Sequence, residues 1–182
     1  MPTFSAESTT YPYIYLQEAS YFSLEKVKAE EEGSFFKLMG SMLFSAFCME
    51  GYINFLGEKE IPRWNKIERN LGRDGRLSKL LLKIGMNPCI SRRPFKTYTE
   101  LFVFRDSLVH SRVTQLAITG SLRSPGQRLP KPLPEWETLI NQKTAQRFID
   151  DTTRIIKMMH KAAGYNRDPF ATHRVGQWEI KP

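Results

Sequence analysis

Residues 35–56, "FFKLMGSMLFSAFCMEGYINFL", constrain the chain more than any other segment. An apolar run of this length can span a bilayer. Lys37, Glu50 and Asn54 interrupt it, however, and each is costly in lipid. Read as a helix, it carries apolar residues on most of its circumference, so other helices must cover it on nearly every side. It therefore predicts a central core helix and no membrane partner.

The flanking sequence supplies helices to pack around it. Residues 17–32 have a weak helical pattern, with Gly33 or Ser34 as the break that follows. Residues 63–71 give a short helix, and "GRDG" (72–75) punctuates the chain. Leu77, Leu80, Leu81 and Ile84 recur at helical spacing. Residues 85–95 form a loop with two prolines, and residues 96–117 form the next helix. "TGSLRSPGQRLPKPLP" (119–134) is a long proline-rich loop, and "VTQLAIT" before it has strand character. The helix predicted over 138–163 has Phe148, Thr152, Ile155, Ile156 and Met159 on one face and ends at Gly164. Short connections between strong helices predict an all-α fold, an antiparallel helical bundle of four to five main helices. Residues 1–16 read as irregular, with "YPYIYL" either a short strand or aromatics packed on the bundle. Residues 165–182 read as a tail that docks through Trp178.

Cys48 and Cys89 provide neither a disulfide framework nor a metal-ligand cluster, and three histidines give no paired zinc ligands. No metal or cofactor is expected. The N-terminus "MPTFSAESTTYPY" lacks a basic region followed by an apolar one, so a cytoplasmic protein is expected. The net charge of +8 is concentrated in the middle of the chain. Residues 1–59 carry −4, residues 60–131 carry +10 and residues 132–182 carry +2. A polyanion such as RNA fits the middle segment, and a solvated basic surface is the simpler alternative.

Within that segment lies "LFVFRDSLVHSR" (101–112), where an apolar helix carries Arg105, Asp106 and His110. An arginine five or six residues before a histidine is not distinctive in itself, because Arg154 precedes His160 and Arg167 precedes His173. His160 falls near a helix C-terminus, where it can complement the dipole. His173 is separated from its arginine by Pro169. Only Arg105 is followed by a polar residue within a strong apolar helix. Asp106 and His110, at i and i+4, share a helix face, so the carboxylate could fix the imidazole tautomer. Arg105 and His110 are about 140° apart around the helix, so joint action points to a cleft shared by two subunits.

"FRDSLVH" (104–110) resembles the signature of the HEPN superfamily, in which an arginine and a polar residue precede a histidine by a few positions. "AFCMEGYINFL" (46–56) is similar to the first core helix of that superfamily. The resemblance covers residues 35–163, leaving an N-terminal extension (1–34) and a C-terminal tail (164–182). It implies a homodimeric helical bundle and a metal-independent endoribonuclease that leaves a 2′,3′-cyclic phosphate, in a toxin–antitoxin or phage-defence system with an antitoxin partner. Its alternative is a catalytically inactive HEPN-like dimer that binds nucleic acid, a nucleotide or a protein. The catalytic set would be Arg105, His110 and Asp106. Glu50 and Asn54 would orient it, unless they are only a satisfied polar pair in the core. Arg112, Arg92, Arg93 and Lys96 would hold RNA. The long proline-rich loop and the extended termini depart from the simplest family pattern.

Overall fold

The computed structural model describes residues 3–29, 32–113, 115–119 and 131–181. The protein is mostly helical: α1 (Pro12–Ala29), α2 (Ser34–Glu60), α3 (Trp64–Ile67), α4 (Arg73–Lys83), α5 (Phe95–Val109), α6 (Glu135–Thr138) and α7 (Gln142–Ala162). Two strands, β1 (Thr3–Thr10) and β2 (Arg174–Lys181), pair antiparallel, with Thr3 opposite Lys181 and Thr10 opposite Arg174.

The apolar run lies inside α2, which packs against α1, α3, α4, α5 and α7. Its buried positions include Met42, Ala46, Cys48, Met49, Tyr52 and Leu56. Phe95, Tyr98, Leu101, Phe102 and Phe104 of α5 and Phe148, Ile155, Ile156 and Met159 of α7 complete the core. Small side chains bring α1 close to α2: Ser20 Oγ lies 2.7 Å from Ser45 Oγ and donates to the Ser41 carbonyl at 2.7 Å. No helix among the described residues is long and apolar enough to cross a membrane.

Local chemistry sets the helix ends. Asn141 Oδ1 accepts the Thr144 N–H at 2.9 Å and caps α7, so that helix begins after residue 138. At the other end Gly164 takes the left-handed conformation (φ 88°), and the Tyr165 N–H reaches back to the His160 carbonyl at 3.1 Å. Gly85 closes α4 in the same way, with the Met86 N–H on the Leu81 carbonyl at 2.8 Å.

Several boundaries differ from expectation. After Tyr11, "YPYIYL" opens α1 rather than forming a strand, with Pro12 at the first position, where the missing N–H costs nothing. Tyr11 and Tyr13 pack on the bundle, as the other expectation had it. Tyr13 and Ile14 are buried there. Residues 3–10 are a strand rather than irregular chain, because β2 in the expected tail pairs with them. The backbone of Trp178 lies opposite Ala6; its side chain is outside the description. "GRDG" marks the break as expected, but only Gly72 is non-helical: residues 73–75 already open α4, with Asp74 in the first turn, where the helix dipole favours an anion. The helix expected over 96–117 stops at Val109. Residues 109–113 are exposed, so nothing is buried by continuing it. The described part of "VTQLAIT" is not a strand, and residues 120–130 of the proline-rich loop lie outside the described residues.

Candidate functional site

Side chains from α2, α4 and α5 meet around Arg105. Glu50 comes from the middle of α2, Arg73 and Arg76 from the first turn of α4, and Phe102, Arg105 and Asp106 from α5. The Arg105 guanidinium lies over the Phe102 ring, 5.1 Å from its centroid, and Arg73 lies 5.7 Å from the same centroid. One Arg105 nitrogen is 3.8 Å from Glu50 Oε2, and its Nε is 3.1 Å from Asp106 Oδ1. The second contact is an ion pair by distance, but it lies off the hydrogen-bonding direction, so Nε makes no hydrogen bond among the described residues. With 18% of its side chain exposed, Arg105 is held within the protein rather than in bulk water.

Neighbouring charges extend the cluster. Arg73 hydrogen-bonds Asp74 at 2.9 Å and stands 3.6 Å from Asp106, and Arg76 bridges Glu50 (3.6 Å) and Glu68 (3.3 Å). The Asp74 hydrogen bond raises the Arg73 pKa further above its ordinary value. Tyr98 donates to the Arg73 carbonyl at 3.0 Å, which ties α4 to α5. Glu50, Ile53, Arg73, Arg76, Tyr98 and Phe102 enclose a cavity of ≈10 Å³, room for about one water. Anything larger than a water therefore has to meet the cluster from outside, where Asp106 is 41% exposed.

The sequence-derived residues divide into three groups. Arg105, Asp106 and Glu50 come together. Asn54 lies one turn beyond Glu50, and its buried Oδ1 makes no hydrogen bond among the described residues. His110 ends α5 as an exposed residue, its N–H donating to the Asp106 carbonyl at 3.0 Å. The Asp106 carboxylate faces Arg73 and Arg105, and its connection to His110 runs through the main chain.

Of the residues expected to hold RNA, Arg92 and Arg112 are exposed. Lys96 pairs with Glu100 at 3.7 Å. Arg93 makes a bidentate bond to Asp151 (2.7 and 2.9 Å), which also accepts from Thr97 at 2.6 Å, so Arg93 fastens the start of α5 to α7. Arg147 joins this network by donating to Thr97 Oγ1 at 3.4 Å, and it also pairs with Glu100. Sequence reasoning missed Arg73 and Arg76. Their i, i+3 spacing on one helix was the available signal, hidden by reading "GRDG" as a break.

His160 lies in the last turn of α7, as expected, but it is also part of the core. It is 8% exposed, and its Nδ1 lies 3.0 Å from the Tyr52 hydroxyl. Burial raises the Tyr52 pKa, so the hydroxyl keeps its proton. Burial also lowers the His160 pKa, against the Asp168 charge and the Arg167 backbone, which pull it up.

No protein-family model, curated protein or solved structure matches the chain.

Proposed function

We propose that the protein is a HEPN-type endoribonuclease: an antiparallel helical bundle that acts in the cytoplasm as a homodimer and cleaves RNA without a metal. The observation that carries this reading is the contrast between the two motif residues. Arg105 is lodged between Glu50, Asp106 and Phe102 with an Nε donor unused among the described residues, while His110 stands at the exposed end of the same helix. A preorganised guanidinium in a partly dry setting suits the charge that develops on a phosphate. An imidazole open to solvent can reach a substrate and pass a proton to or from it. Val103, two turns before His110, is 55% exposed, and it supplies an apolar contact for a second copy of α5 on the histidine face.

In the reaction, the ribose 2′-oxygen forms a bond to the adjacent phosphorus and the bond to the 5′-oxygen breaks. One imidazole takes the 2′-hydroxyl proton and another donates a proton to the departing 5′-oxygen. Two copies of His110 would serve both roles in a two-fold dimer. Arg105 would stabilise the phosphorane charge, with Asp106 and Glu50 holding it. Arg92, Lys96 and Arg112 would follow the backbone. A restraining antitoxin and a role in toxin–antitoxin or phage-defence systems belong to the same reading.

A second reading is favoured by one observation. The Asp106 carboxylate is committed to Arg73 and Arg105, which suits a catalytically silent dimer that only binds nucleic acid. Incubating purified protein with RNA separates the two. Wild type should yield 2′,3′-cyclic phosphate ends and 5′-hydroxyls, undiminished by EDTA. Arg105→Ala and His110→Ala should each lose about 100-fold or more in rate. Equal cleavage by all three proteins, or none by wild type, removes the nuclease assignment.

A further inference from the structure

A second cleft lies where the C-terminal end of α7 and residues 164–175 close over α1 and the end of α2. It encloses ≈530 Å³, within the usual range for small-molecule sites, and no residue lines both it and the cavity beside Arg105. Its aromatic walls are held in place. Tyr165 stacks on His160 at 4.8 Å with an interplanar angle of 26°, and its hydroxyl donates to Glu60 at 2.9 Å. Opposite, Tyr11 meets Phe55 edge to face at 5.6 Å. The rim is also pinned: Tyr13 donates to the Pro169 carbonyl at 2.8 Å, and Asp168 binds Lys157 and the Phe170 N–H, both at 2.9 Å.

Two further residues of the lining, Lys59 and Arg167, are cations that this framework leaves unused. Both are exposed, and neither side chain makes an ion pair or hydrogen bond among the described residues. Rigid aromatic surfaces beside two uncommitted cations complement a flat aromatic group that carries an anion. We infer that this cleft binds a nucleotide, with the base against the aromatic walls and the phosphate on Lys59 and Arg167. The inference does not depend on RNA cleavage at Arg105 and His110.

The test is calorimetric titration of the full-length protein with AMP, GMP, CMP and UMP, with adenosine and inorganic phosphate as the half-ligands. At least one mononucleotide should bind one to one. Phosphate alone, and adenosine where AMP binds, should each bind at least about tenfold more weakly. Lys59→Ala/Arg167→Ala should also weaken binding at least about tenfold at an unchanged melting temperature, since both side chains are on the surface. Arg105→Ala should bind like wild type, which keeps this result separate from that for the nuclease. A tetranucleotide identifies the source of the ligand: equal affinity marks a free nucleotide, and tighter binding marks a residue of an RNA strand. The inference fails if no mononucleotide saturates the protein at about 1 mM, if phosphate binds as well as a nucleotide does, or if the double variant binds unchanged.

Discussion

Gly57 in α2 provides a sharp test of the packing. A Cβ at this position would lie 2.2 Å from Trp64 Cε2, 2.4 Å from Cδ2 and 2.6 Å from Nε1. Ordinary carbon contacts are about 3.5–4.0 Å, so in Gly57→Ala the indole has to retreat by more than about 1 Å. Trp64 is 2% exposed and has little free space to enter. Helix propensity acts the other way, since alanine is about 1 kcal/mol better than glycine within a helix. Overpacking typically costs about 1–3 kcal/mol. Full ejection of the indole would forfeit about 5 kcal/mol, for roughly 200 Å² at about 25 cal/mol per Å². The contacts fall far short of normal, so the cost should lie toward the upper end. Gly57→Ala should lose about 3 kcal/mol, or roughly 6–12 °C in melting temperature for a chain of this size. Thermal and urea denaturation followed by circular dichroism measure this. The sign should reverse in a Trp64→Leu background, where the same substitution should be neutral or stabilise by up to about 1 kcal/mol. A Gly57→Ala protein as stable as wild type would refute the packing argument.

Three further predictions concern other parts of the molecule. His160 is held neutral by burial, so the unfolded chain takes up its proton at higher pH than the folded one. Stability should be intact above the unfolded value of about 6.5 and fall as the pH drops from there toward the lower folded value. His160→Gln should flatten that slope in denaturant titrations; an unchanged slope would exclude His160 as its source. Burial pushes the Cys48 thiol up to about 12, whereas Cys89 is exposed. Alkylation at neutral pH should label Cys89 in the native protein and Cys48 only after unfolding, and peptide mapping that found Cys48 labelled first would contradict the core assignment. Asp151→Ala should cost about 2 kcal/mol, because it leaves the buried Thr97 hydroxyl without its acceptor, while the half-exposed Arg93 can turn to water. A loss below about 0.5 kcal/mol in urea unfolding would show that this network does not hold α5 to α7.

Much of the helical framework was legible in the sequence, because apolar periodicity reports which face of a helix is buried. Leu77, Leu80 and Leu81 and the Phe148–Met159 face are buried as their spacing predicts. The polar interruptions at Lys37, Glu50 and Asn54 likewise marked the long apolar run as a core helix rather than a membrane span. Local pattern carries no information about pairing across the whole chain, so the β1–β2 ribbon between the two ends was invisible. It carries none about which charges meet, either. The sequence set Asp106 beside His110 on a helix face, but helix packing brought Arg73 within reach, and the carboxylate turned to the two arginines. In the same way Arg93 read as a free cation until α7 presented Asp151 to it. The chain by itself determined which segments are helical and which faces they bury. Only the tertiary structure decided which charges are spent on holding the fold and which remain open to a ligand, because an ion pair depends on distance in space and not on spacing along the chain.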